Sequence, residues 1–217
     1  LELQPKQIII DNIVDYCLSL REMQINTAFD SSMLLGGKVQ EQIDALRQLA
    51  PPQGGLVDGQ VVMDSIRFLK EHALPGRQLH VVMHRINRAG DMMLWTYEVG
   101  QMRDGTWHID GASGGSVSQC YPLGGKAWVS LREGRCKGNP DVFYLSGTVI
   151  DAGHDVKRIR VITEDGVILE DVIEHGAVLL IAEQKIKQPL YAELYDRKGN
   201  LVGSHKALAE NSSAHLN

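Results

Sequence analysis

The 217 residues carry 22 lysines plus arginines against 27 aspartates plus glutamates, a formal charge of -5, with 43% hydrophobic and 23% charged side chains. That balance excludes a disordered or fibrous chain, and the lack of a basic run argues against a nucleic-acid partner, since nothing would neutralise a row of phosphates. No apolar stretch reaches the ~20 residues that a helix needs to cross a bilayer, so no transmembrane segment is expected. The length is enough for two domains of about 100 residues each.

The first element is helical. Ile9, Ile13, Tyr16, Leu20 and Met23 recur at steps of four and three, which predicts one amphipathic helix over 5–27, with Cys17 as core filler. After Gly36-Gly37, a second helix is predicted over 38–50 with Val39, Ile43, Leu46 and Leu49 inward, stopped by Pro51-Pro52. Asp58 is the expected N-cap of a third helix, whose Val62, Ile66, Leu69 and Ala73 keep helical spacing up to Pro75-Gly76.

At Gln78 the apolar period changes to two. Three strands are predicted over 78–87, 92–102 and 106–116, an antiparallel meander whose second turn is Asp104-Gly105, a pair suited to a two-residue type I′ hairpin. A loose junction over 116–125 leads into seven further strands, over 126–132, 142–150, 157–163, 167–173, 177–183, 190–196 and 201–205, spaced as in a sandwich or barrel. The polar stretch over 210–217 is expected to fray as a disordered tail. The fold class is therefore an α+β domain, three helices and a meander over 1–118, followed by an all-β sandwich over 119–217.

Two resemblances refine this. Helices followed by a meander ending in Asp104-Gly105-Thr106-Trp107-His108-Ile109 and Gly114-Gly115 resemble the nuclear-transport-factor-like cone fold, which implies a pocket but no particular reaction. Residues 124–207, with Tyr191-Ala192-Glu193-Leu194-Tyr195-Asp196 and then Lys198-Gly199-Asn200-Leu201-Val202, resemble an immunoglobulin-like or fibronectin-type β-sandwich of bacterial surface and secreted proteins. Together they imply a bacterial extracytoplasmic protein. Residues 1–10 have neither a basic n-region nor a cleavage signature, so an extracytoplasmic protein of this kind would carry its leader or anchor upstream of Leu1. In an oxidising compartment Cys120 and Cys136 would pair, closing a loop of about 15 residues worth ~3 kcal/mol. In the cytoplasmic alternative all three cysteines stay free.

Histidines supply the candidate chemistry. Pairing Asn87 with Met92 sets His84 opposite Trp95 and His80 opposite Val99, and pairing Arg103 with Thr106 sets Gln101 opposite His108 and Val99 opposite Asp110. One face then holds His80, His84, Trp95, Tyr97, His108 and Asp110, with Trp107 and Ile109 on the other. A one-residue slip would reverse part of it. His108, polarised by Asp110, is the candidate catalytic acid/base pair, and His84, Trp95 and Tyr97 the candidate ligand walls. The plain alternative is hydrogen-bonded sheet histidines and packed aromatics. His80 and His84, four apart on a strand, stand about 13 Å apart, too far to chelate one ion, so no metal is expected. No cofactor is implied either: Gly36-Gly37-Lys38 and 111–116 lack phosphate-loop spacing, and no serine sits in a nucleophile elbow.

The leading expectation is a non-enzymatic, extracytoplasmic binding or interaction protein whose partner is a protein, glycan or small ligand. The alternatives are a small-molecule site or acid/base enzyme in the first domain, and a structural or homo-oligomeric assembly module.

Overall fold

The computed structural model describes residues 4–17, 63–85, 92–117, 125–207 and 209–211. Helix α1 occupies residues 5–17, opening on Pro5, a residue suited to the first helical position because its missing N–H would have no intrahelical partner there. Ile9, Ile13 and Cys17 are fully buried, as their spacing predicts. Residues 18–27 of that predicted helix and the whole second helix over 38–50 lie outside the described residues.

The third predicted helix is corrected. Residues 63–65 are helical, and the chain then forms the strand β1 (Arg67–Leu74), while residues 58–62 of the predicted helix lie outside the described residues. Two features explain the misleading pattern. Leu74 pairs with Arg77 across Pro75-Gly76, with Gly76 at φ 69°, so Pro-Gly closes a tight hairpin instead of ending a helix. Sheet 1 is also covered on both faces, so Phe68 packs under α1 while the adjacent Leu69 packs toward sheet 2, and a bulge between Phe68 and Lys70 interrupts the register, which together remove a clean two-residue alternation.

β2 (Arg77–Arg85), β3 (Met92–Gln101) and β4 (Trp107–Ser116) continue β1 as an antiparallel sheet in chain order, sheet 1. All seven later strands predicted from the sequence are present: β5 (Trp128–Arg135), β6 (Phe143–Ile150), β7 (Val156–Ile162), β8 (Ile168–Val172), β9 (Ala177–Ala182), β10 (Leu190–Asp196) and β11 (Leu201–Ala207). A further short strand, β12 (Ala209–Asn211), pairs parallel to β5 at Leu131 to Glu133, so residues 210 and 211 of the stretch expected to fray are paired; 212–217 lie outside the described residues. Sheet 2 has the order β12-β5-β6-β9, and sheet 3 the order β11-β10-β7-β8.

These elements stack as helix, sheet, sheet and sheet. Ile9, Ile13 and Cys17 of α1 cover Val82, Trp95, Tyr97 and Val99 on one face of sheet 1. Its other face, through Leu79, Val81 and Leu94, packs on Tyr144, Ala177 and Leu179 of sheet 2 and on Cys136 and Val142 beside them. The reverse side of sheet 2, including Val129, Leu131, Leu145, Val178 and Leu180, meets Ile159, Val161, Leu190, Ala192 and Leu194 of sheet 3. The unbroken apolar run of β9, Ala-Val-Leu-Leu-Ile-Ala, follows from this position: a strand covered on both faces has no polar side to alternate with. The domain boundary expected near residue 118 falls at 118–124, outside the described residues.

Several polar groups between sheets 1 and 2 are paired across the contact, although Arg132 Nη1 is buried there without a hydrogen-bond partner. Thr96 Oγ1 donates to Ser146 Oγ at 2.7 Å, Ser113 and Tyr144 share a hydroxyl bond of 2.6 Å, and Arg132 Nη2 donates to Ser116 O at 2.6 Å. Lys70 of β1 binds the Asp171 carboxylate and the Val172 carbonyl of β8, while Asp171 Oδ2 accepts Leu179 N at 2.8 Å. Gly147 of β6 is required sterically, because a Cβ there would stand 1.9 Å from Ser130 O of the neighbouring strand. Gly147→Ala is expected to destabilise the protein by about 1–3 kcal/mol, read as a lowered denaturant midpoint at unchanged slope.

Candidate functional site

The register decides where the candidate residues go. Across β2 and β3 the observed partners are His84 with Met93, Val82 with Trp95 and His80 with Tyr97, a shift of two residues from the predicted pairing. A shift of two preserves parity, so His80, His84, Trp95 and Tyr97 do share a face. That face lies under α1. His80 and His84 are each 1% exposed, Trp95 5% and Tyr97 3%. Trp95 meets Tyr16 edge-on at 5.8 Å, and burial raises the Tyr97 phenol's pKa.

His108 and Asp110 are on the opposite face, which corrects the predicted constellation. The turn after β3 is not a two-residue loop: Gly105 N donates to Met102 O at 3.0 Å, Met102 N donates to Thr106 O at 2.7 Å, and Gly105 has φ 89°. This is a three-residue loop with a glycine bulge, held by Asp104 Oδ1 accepting from Thr106 N and Oγ1. Gln101 therefore pairs with Trp107 and Gly100 with His108, one residue away from the predicted register. Trp107 and Ile109 consequently join the aromatic face under α1. A second bulge, with Ile109 opposite Val99 but Gly111 opposite Glu98, leaves Asp110 as the extra residue.

On that second face His108 Nε2 lies 2.7 Å from Asp110 Oδ1, and Asp110 Oδ2 lies 3.6 Å from Arg77 Nη1. Gly100 makes room for the pair, since a Cβ there would come within 2.3 Å of Asp110 Oδ2. The centre of the cluster is Glu98, a residue the sequence reading does not single out. Its buried carboxylate is paired with Arg77 Nη1, accepts Lys137 N at 2.6 Å and Gly138 N at 3.1 Å, while Arg77 Nη2 donates to Gly138 O at 2.8 Å. The cluster thus ties the meander to the β5–β6 connection. His108 can hold a polarised proton beside Asp110, but its neighbours are the groups of this tie.

Hollows border the sheets among the described residues, two of them near the meander. A groove of about 470 Å³ between β1 and β8 is lined by Lys70, His72, Arg158, Glu170 and Glu174 among others, and a cavity of about 160 Å³ is lined by Ser116, Ser130, Arg132 and Thr148 among others. Neither includes His108, Asp110, His84, Trp95 or Tyr97. No cluster among the described residues has the donors to hold a metal ion. Cys136 is a buried free thiol, its pKa pushed up to about 12 by burial first and then by the Glu98 charge, while Cys120 lies outside the described residues.

A different surface stands out, and sequence reasoning passed over it. Six large apolar side chains are exposed among the described residues, and four of them, Ile168, Val172, Tyr191 and Leu201, lie on the outer face of sheet 3. Pairing arranges this face in three rows: Lys206, Tyr191, Ile162 and Ile168; then Ser204, Glu193, Arg160 and Glu170; then Leu201, Tyr195, Arg158 and Val172. Arg160 sits 3.7 Å from Glu193 and 3.8 Å from Glu170, Tyr195 Oη donates to Glu193 at 2.7 Å, and the Arg158 guanidinium lies 4.6 Å over the Tyr195 ring. The available signal was apolar residues at solvent-facing strand positions.

Compared with protein-family models, curated proteins and solved structures, the chain matches none.

Two measurements check these assignments. Arg77→Met leaves the buried Glu98 carboxylate without its cation and is expected to cost about 3–5 kcal/mol, whereas His108→Ala, at an exposed end of the network, should change stability by less than about 1 kcal/mol. Burial lowers the His80 pKa from the ordinary 6.5 to about 4 and lowers that of His84 too. The unfolded chain therefore takes up protons between pH 6.5 and 4 that the folded chain refuses. Stability is full above pH 6.5 and falls on acidification, by about 3 kcal/mol for His80 alone. His80→Gln should flatten that slope in unfolding curves measured across the same range.

Proposed function

We propose that this chain is a binding protein, not an enzyme, and that it engages another protein through the outer face of sheet 3. The observation that carries this reading is the gathering of Ile168, Val172, Tyr191 and Leu201, each about half exposed, on one sheet face. Solvated sheet faces normally alternate polar-out, so apolar and aromatic side chains collected on the wet side mark a surface kept for contact. Two tyrosines and two arginines sit among them, residue types enriched where binding energy concentrates. The face is a broad ladder of strands, suited to another protein surface more than to a small ligand.

Two further points support this reading. The strand orders β5-β6-β9 and β11-β10-β7-β8 around one core favour the resemblance of this half to immunoglobulin-like or fibronectin-type sandwiches. The His108–Asp110 pair shares its surroundings with the Glu98 tie between sheets, so its residues have a structural role already.

The test is a photo-reactive amino acid placed at Tyr191, with a control at exposed Asp141, in cells that make the protein. A discrete crosslinked adduct is expected from position 191 only. It should be lost, with a ten- to hundredfold weaker affinity for the captured protein, when Leu201→Glu is added, and kept with His108→Ala. Equal adducts from both positions, or an adduct indifferent to Leu201→Glu, would defeat the reading.

A further inference from the structure

We infer that the protein seated on this face is a second copy of the same chain, bound about a two-fold axis that runs along the strands. The inference rests on the reading of the sheet 3 face as the contact surface, and the pattern of its rows carries it further.

Two identical four-stranded sheets that stack face to face with their strands aligned are related by a two-fold lying in the plane between them, either along the strands or across them. An axis along the strands keeps each row opposite itself and exchanges β10 with β7 and β11 with β8. Glu193 then faces Arg160 of the second copy, Tyr195 faces its Arg158, Leu201 its Val172, Tyr191 its Ile162, Ser204 its Glu170 and, at one edge, Lys206 its Ile168, every contact occurring twice. Each central pairing joins opposite charges, a cation and an aromatic ring, or two apolar groups. The geometry within one chain already shows that two of these pairings are compatible, Arg160 with Glu193 and Arg158 over Tyr195.

An axis across the strands leaves β10 on β10 and β7 on β7. The central row then meets itself as Glu193 on Glu193, Arg160 on Arg160 and Glu170 on Glu170, three like-charge oppositions that disfavour the arrangement. The charge order therefore selects one of the two orientations. Twelve side chains from each copy form a small interface, below the about 20–30 residues a side of a standard one, so the dimer is weak, with Kd between about 10 μM and 1 mM.

Sedimentation equilibrium from about 5 μM to 1 mM tests this, with circular dichroism confirming that each variant is folded. The unmodified protein should fit a monomer–dimer equilibrium in that range, weakening with salt as the Glu193–Arg160 contacts are screened. Leu201→Glu and Val172→Lys, each at an exposed position, should separately raise Kd at least tenfold. Mixed together they should recover association as a heterodimer, because Glu at 201 then faces Lys at 172 of the other copy. A protein monomeric at 1 mM, a dimer indifferent to Leu201→Glu, or a mixture that fails to recover association would each overturn the inference. If the chain is monomeric yet the Tyr191 crosslinker captures a different protein, self-association is refuted while the face remains the contact surface. Failure of both experiments removes both readings.

Discussion

Strands β6 and β9 have no solvent face, and most of the architecture answers to that constraint. One side of their sheet is filled by Leu145, Val178 and Leu180 against sheet 3, and the other by Tyr144, Ala177 and Leu179 against the meander. A doubly covered strand can carry polar groups only if each finds a partner within the stack, since an unpaired buried donor or acceptor costs about 1–3 kcal/mol. Ser146 therefore meets Thr96, and the Tyr144 hydroxyl meets Ser113. The same constraint fixes side-chain size: Gly147 lies under Ser130 O, and Gly134 under the Tyr144 ring, where any Cβ would collide. The meander is thus bound to the sandwich half by a continuous buried apolar cluster and the hydrogen bonds that cross beside it.

Charge at this contact follows from burial as well. Glu98 projects from a strand whose neighbours are apolar, so its carboxylate must be compensated where it stands. Arg77 and the backbone N–H groups of Lys137 and Gly138 do so, which locks the β5–β6 connection against the meander's end. His108 and Asp110 extend that network outward. Their geometry looks like a catalytic pair in isolation, with a ring nitrogen 2.7 Å from a carboxylate oxygen, but the second carboxylate oxygen faces the cation that neutralises Glu98. The cluster is better understood as graded solvation of one buried charge.

How much was legible in the sequence depended on whether a single local rule decided the outcome. The seven strands after residue 125 were readable because alternation and turn residues agree there. The aromatic face under α1 survived a two-residue error in register because parity is unaffected. The placement of His108 and Asp110 was not readable, since it depends on an Asx-braced three-residue loop and on a bulge one side chain wide, neither of which leaves a mark on apolar periodicity. β1 escapes the same rule because apolar side chains point to both of its covered faces, Phe68 under α1 and Leu69 toward sheet 2, and only the pairing of Leu74 with Arg77 across Pro75-Gly76 reveals a hairpin. Glu98 was passed over because its partners, Lys137 and Gly138, are distant in the chain and act through their backbone.

Access to solvent separates the outer face of sheet 3 from the other sheet faces. Sheet 1 is covered by α1 on one side and sheet 2 on the other, and sheet 2 is covered twice, so sheet 3 alone presents a broad face to solvent among the described residues. If that face served only to keep the protein soluble, its outward positions would be filled by short polar or charged residues throughout. Instead the carboxylates are confined to the middle row, where Arg160 stands between Glu193 and Glu170, and each flanking row carries a single cation, Lys206 or Arg158, among apolar or aromatic side chains. Such banding contributes little to a monomer, because exposed ion pairs are worth about 0–1 kcal/mol and exposed apolar rows gain nothing from water. It becomes useful when a second surface excludes that water, strengthening the central pairs and burying the flanking rows together.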